Sequence, residues 1–192
     1  MRCWIVIPIK APEACKTRLS PALGDNERQA LVAAMLRQTV AAAHAVVGRD
    51  QVLLLGPSRH GLDEGIGLLA DPGQGLNVAL GSARDIAVRE GIERLLLLSG
   101  DLPTIEPDDV AAILGVPANA IAGGPDRAGK GTNALSLPLP AAAQFRFRYG
   151  EGSFAAHQQE AARLGLPFRT IDRPGLGLDI DRPDEIALWR QG

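Results

Sequence analysis

Apolar residues along this chain follow two rhythms. Short unbroken runs at residues 3–9, 51–55, 66–70 and 94–98 stop at or near a glycine, a proline or an acid, whereas longer stretches repeat apolar residues every three or four positions. An unbroken run suits a strand covered by helices on both faces, and the wider spacing gives a helix a single apolar stripe. The pattern therefore predicts strands at those four places and at 118–122, 134–137 and 167–171. It predicts helices from Asp25, with Asp25 as the cap and Leu31, Val32, Met35, Leu36 and Val40 turned inward, then over 76–89, 107–114 and 153–164, and a last short one from Pro183. Strands that alternate with helices make this an α/β chain, a Rossmann-like three-layer sandwich around a mostly parallel, mixed sheet. No repeat or linker interrupts residues 1–192, which read as one domain.

The run Leu95-Leu96-Leu97-Leu98-Ser99-Gly100-Asp101-Leu102-Pro103 delivers an acid to a strand end, where open α/β sheets bind ligands. Asp101 is thus the first candidate for chemistry. The turn after the first strand, from Pro8 to Pro21, holds Lys10, Lys16 and Arg18 but no glycine. A dinucleotide or Walker-type loop needs glycine to close its backbone on phosphate, so those classes are disfavoured. Phosphate binding by the three cations remains, beside the plainer reading of a proline-stiffened connector. Asp71-Pro72-Gly73-Gln74-Gly75-Leu76-Asn77 is a second strand-to-helix turn, with Gly75 and Asn77 placed to meet a nucleotide or simply to close the turn. A third Gly-rich segment runs from Gly123 to Asn133. Near the C terminus, Asp179 and Asp181 stand one residue apart. Asp181 reads as a helix cap; alternatively one of the pair shares a hard cation with Asp101, for which Mg²⁺ suits the oxygen ligands.

Composition narrows the options. A net charge of −2 and 4% aromatic residues support neither a phosphate-tracking groove nor a base-stacking platform, so no nucleic-acid partner is expected. Cys3 and Cys15 lack metal-ligand spacing, and His44, His60 and His157 are scattered. His157 reads as a partly exposed helix residue. With no apolar run near the ~18 residues of a membrane span and no signal-peptide pattern, a reduced, cytoplasmic protein is expected.

The order Lys16-Thr17-Arg18-Leu19-Ser20-Pro21, Gly75-Leu76-Asn77, Gly100-Asp101-Leu102-Pro103, Gly131-Thr132-Asn133 and Leu178-Asp179-Ile180-Asp181, with Tyr149-Gly150-Glu151-Gly152-Ser153-Phe154, resembles the GT-A-like nucleotidyltransferases. Within them it is most similar to the phospholactate guanylyltransferase family of coenzyme F420 biosynthesis. The resemblance implies transfer of GMP from GTP to 2-phospho-L-lactate, phosphoenolpyruvate or 3-phospho-D-glycerate. It implies Mg²⁺ on Asp101 with Asp179 or Asp181, GTP on Lys10, Lys16, Arg18, Gly75 and Asn77, and the acceptor on Thr132, Gly150 and Ser153. Asp101, Lys16 and Arg18 would carry catalysis. A downstream transferase would take the labile product, and a homodimer is among the assemblies left open. Ser99-Gly100 stands where Pro-Ala is expected in relatives. Two further readings compete: a molybdenum-cofactor-type guanylyl- or cytidylyltransferase, which would want a Gly-rich first turn, and a non-catalytic nucleotide-binding module.

Overall fold

The structure, a computed structural model, describes residues 1–11, 16–180 and 185, apart from the side chain of Arg18. The described strands form one seven-stranded sheet. In chain order they are β1 (Cys3–Pro8), β2 (Val52–Leu55), β3 (Gly67–Leu69), β4 (Arg94–Leu98), β5 (Ile121–Pro125), β6 (Thr132–Pro138) and β7 (Phe168–Thr170). Their spatial order is β3-β2-β1-β4-β6-β5-β7, and β6 alone runs antiparallel to its neighbours. The two edges, β3 and β7, are only three residues long, which limits the unpaired backbone offered to other chains.

Alternation along each strand divides the core in two. Ile5, Ile7, Leu96 and Leu98 face α1 (Asp25–Val47), α3 (Pro107–Leu114) and α5 (Pro174–Gly177). Val6, Leu95, Leu97, Leu135 and Leu137 face α2 (Leu76–Arg89) and α4 (Ser153–Arg163). Both faces of the sheet are therefore helix-covered, giving the expected three layers. By length and apolar content alone α1 could cross a membrane, although Arg37, Gln38 and His44 interrupt it and no unbroken apolar run approaches ~18 residues. Its Leu36, Val40 and Ala43 instead pack against the sheet.

Several boundaries depart from the sequence reading. The cap of α1 is Gly24, whose N–H donates to Glu27 Oε2, so Asp25 lies inside the first turn. A strand predicted at 118–122 begins at Ile121, because Pro117, Ala118 and Ala120 give their carbonyls to Arg94. The Gly-rich segment 123–133 is the tip of a hairpin: Gly123 and Gly124 belong to β5, Thr132 and Asn133 to β6, and residues 126–131 connect them. The helix expected from Pro183 lies outside the described residues.

Candidate active site

β1 is flanked by β2 on one side and β4 on the other, so the chain leaves the ends of β1 and β4 in opposite directions. Such a switch point opens a crevice at the carboxyl ends of the strands. Here the crevice is a cavity of about 500 Å³. Its walls include Ile9 and Lys10 after β1, Ser99, Gly100 and Asp101 after β4, and Gly75 and Leu76 at the start of α2. Packing around Gly100 is close: a Cβ there would come within 3.2 Å of both Ile7 and Leu36 and would displace them by a few tenths of an ångström.

Lys16 also lines this cavity and sets its ammonium on Asp101 Oδ2. The Lys16 side chain is 9% exposed and that of Asp101 29%, so the pair sits at the cavity wall with the carboxylate turned more to solvent. The Lys16 backbone is left-handed, at φ 51° and ψ 38°. The following turn, Thr17–Leu19, is closed by Leu19 N–H donating to the Lys16 carbonyl at 2.9 Å, and Leu19 is fully buried. An anchored leucine thus holds a strained lysine against the cavity, as strained residues at binding sites commonly are held. Among the described residues His60 is the one other non-glycine with positive φ, and it too lines the cavity. Its Nε2–H donates to the Lys10 carbonyl at 2.6 Å, since a carbonyl only accepts.

Asn133 connects the end of β4 to the segment carrying Asp179. Its carbonyl accepts Ser99 N–H at 2.8 Å, and its Nδ2 donates to the Leu176 carbonyl at 2.9 Å and to Asp179 Oδ1 at 3.4 Å. The short helix α5 is fixed in turn by Arg173, whose Nε donates to the buried Asp109 at 2.9 Å. Asp101 follows β4 and Asp179 follows α5, and both are hard oxygen donors. Among the described residues no group of three potential metal ligands gathers. That donor set fits Mg²⁺, which takes one or two carboxylates and completes its shell with water and phosphate oxygens.

Thr132, Ser153 and His157 form a buried chain. Ser153 Oγ donates to Thr132 Oγ1 at 3.2 Å, and His157 Nδ1 lies 3.0 Å from the same oxygen. His157 Nε2 accepts Arg148 N–H at 3.1 Å, so the proton of the neutral ring is on Nδ1, which donates to Thr132. Burial pushes the imidazole pKa down to about 4. His157 is fully buried rather than partly exposed, a correction that follows from its packing between Phe145 and Tyr149. Ser153 is the first residue of α4, after the cap Gly152. The amides of Ser153 and Phe154 are not free, since they donate to the carbonyls of Gly150 and Lys130.

Of the residues singled out from sequence, Lys10, Lys16, Gly75 and Asp101 line one cavity, whereas Asn77, Thr132, Gly150, Ser153 and Asp179 lie off its wall. The side chain of Arg18 and all of Asp181 lie outside the described residues. His60 lines the cavity, and Asn133 and His157 hydrogen-bond the candidate residues Asp179 and Thr132; periodicity reveals none of the three. Only the compact Gly-Thr-Asn triplet hints at Asn133.

Comparison with known proteins places the chain as a whole. The family model described as guanylyl transferase CofC like matches residues 3–188. The phosphoenolpyruvate guanylyltransferases of Rubrobacter xylanophilus and Sphaerobacter thermophilus are 40% and 38% identical to this chain, spanning 97% and 94% of it and 93% and 89% of their own lengths. The 3-phospho-D-glycerate guanylyltransferase of Colwellia psychrerythraea is 32% identical over 98% of this chain and 91% of its own. The fold is shared with CMP:2-keto-3-deoxy-manno-octonic acid synthetase complexed with CTP, at a TM-score of 0.64 and 15% identity, covering 100% of this chain and 98% of that one.

Proposed function

This chain belongs to the CofC-like guanylyl transferase family of nucleotidyltransferases, and on that premise we propose that it transfers GMP from GTP to the phosphate of phosphoenolpyruvate, releasing pyrophosphate. The observation that carries the catalytic part is the Lys16–Asp101 pair on the wall of a switch-point cavity. A cation and an anion held side by side there serve the two needs of phosphoryl chemistry, charge neutralisation and alignment. Phosphoenolpyruvate is favoured by the two relatives described above at 40% and 38% identity, and 3-phospho-D-glycerate is the acceptor of the one at 32%.

The acceptor phosphate is already an anion, so one of its oxygens can attack the α-phosphorus with no general base. A new O–P bond forms, the bond from the α-phosphorus to the bridging oxygen breaks, and pyrophosphate departs with that electron pair. This accounts for a site in which the buried histidine is neutral and committed to Thr132 and Arg148. Lys10 and Lys16 would hold the phosphates, joined by Arg18, and Lys16 would stabilise the leaving group. Gly75 and Asn77 belong to the turn expected to meet the nucleoside. Thr132, Gly150 and Ser153 would hold the acceptor.

Asp101, with Asp179 or Asp181, would hold Mg²⁺, which when bound neutralises triphosphate charge. The product, a diphosphate that joins guanosine to the three-carbon acid, would feed a second transferase in coenzyme F420 biosynthesis, in the cytoplasm. Pyrophosphate release from GTP with phosphoenolpyruvate, 3-phospho-D-glycerate and 2-phospho-L-lactate supplied separately tests the proposal. Turnover with phosphoenolpyruvate is expected to exceed that with either other acid, and a preference for another acceptor would overturn the substrate assignment.

A further inference from the structure

Residues 145–149, Phe-Arg-Phe-Arg-Tyr, cross between α2 and α4 without regular secondary structure. Phe145 and Phe147 are buried, whereas Arg146 and Arg148 are exposed. Side chains of both helices grip the backbone of this strap. From α4, Glu160 Oε1 accepts Arg146 N–H at 2.8 Å and His157 accepts Arg148 N–H. From α2, Arg84 donates to the Phe145 carbonyl and lies 5.8 Å from the Phe147 ring centroid.

At the far end of the strap the Tyr149 ring packs on His157, and the Tyr149 backbone bonds to Asn77. Its Oδ1 accepts Tyr149 N–H at 2.7 Å and its Nδ2 donates to the Tyr149 carbonyl at 3.1 Å. Only this orientation of the carboxamide satisfies both bonds, because the amide carries its acceptor and its donor on two separate atoms. Asn77 is exposed, so burial does not force it to find protein partners where water would serve. Both its polar atoms nonetheless meet one residue 72 positions away. Tyr149 is followed by Gly150 at φ 137°, a conformation that favours glycine and turns the chain toward Ser153. Gly75 and Leu76, just before Asn77, line the nucleotide cavity.

We infer that Asn77 is a positioning residue for the acceptor: it fixes Tyr149 and Gly150 to the first turn of α2, and so sets the acceptor loop relative to the nucleotide cavity. The inference rests on the acceptor assignment to Thr132, Gly150 and Ser153 made above. It differs from the expectation that Asn77 touches GTP, and kinetics separates the two.

Asn77→Ala and Asn77→Asp are assayed with GTP and phosphoenolpyruvate varied in turn, or with 3-phospho-D-glycerate should the assay above select it. Asn77→Ala is expected to raise the acceptor KM about tenfold, the effect of one or two modest hydrogen bonds, with the KM for GTP within about twofold. Asn77→Asp keeps the acceptor for Tyr149 N–H but loses the donor, so a smaller rise is expected. A rise confined to GTP, or no change in either constant, would overturn the inference. Thr132→Ala and Ser153→Ala are measured alongside. If they raise the acceptor KM while Asn77→Ala does not, the inference fails alone; if neither moves it, the acceptor assignment falls and the inference with it.

Discussion

Lys16 and Asp101, 85 residues apart in sequence, meet as an ion pair on the cavity wall. The strand β4 delivers the acid and a left-handed backbone delivers the base, so neither partner depends on the other for its place in the fold. Removing either should consequently affect chemistry more than stability.

Asp101→Asn exchanges a full charge for a neutral amide of equal size. Turnover is expected to fall by ~10²-fold or more, the scale of lost electrostatic stabilisation, with little change in melting temperature. The parallel Asp179→Asn and Asp181→Asn variants separate roles: a metal ligand loses Mg²⁺-dependent activity, whereas a lost helix cap costs only ~1 kcal/mol of stability. Near-normal activity in Asp101→Asn would remove it from the catalytic set.

Lys16→Ala should weaken GTP use without changing the ranking of acceptors, since its ammonium serves the triphosphate. Loss of a charge-assisted hydrogen bond predicts a roughly ten- to hundredfold drop in kcat/KM for GTP. Unchanged kinetics would return this turn to the role of a connector.

Arg94 supplies a control at the opposite end of β4 from Asp101. It is 1% exposed and donates to Ser136 Oγ and to the carbonyls of Pro117, Ala118 and Ala120 at 2.9–3.3 Å. Arg94→Met leaves those buried acceptors without their donor, so a loss of roughly 3 kcal/mol is expected from denaturant unfolding. The folded fraction should keep its kcat, because the substitution lies away from the cavity.

Much of this was legible where local rules and tertiary context agree. Residues 76–89 and 107–114 read to the residue because each repeats its apolar positions and begins at a glycine or proline, and 94–98 because an unbroken run stops at Ser99-Gly100. Asp101 was legible because an unbroken apolar run has few places to end in an α/β sheet. The direction of β6 was not, since a strand buried on both faces looks the same from either end; its hairpin to β5 hid inside a glycine-rich segment. The four residues of α5 contain two glycines and carry no period, so the support for Asp179 was invisible. His157 sits at an ordinary helical position, and only the aromatic residues that close over it make it buried.

That burial makes His157 a source of acid sensitivity. Its folded pKa of about 4 lies below the ordinary 6.5, so the unfolded chain binds a proton that the folded protein resists. The contribution is fully present above pH 6.5 and is lost as pH falls from there toward 4, by about 3 kcal/mol across the window. Protonating Nε2 would also set a donor against Arg148 N–H, the bond that holds the strap. His44, whose pKa is likewise lowered by burial, contributes in the same direction, and Glu160, held low by Arg163, adds its own loss at more acid pH. A difference measurement therefore isolates the residue: denaturant unfolding of the wild type and of His157→Gln at pH 7 and pH 5. Glutamine retains polar atoms but does not titrate, so the variant should be less stable at pH 7 and lose less on acidification. Equal losses in the two proteins would show that His157 does not govern this pH dependence.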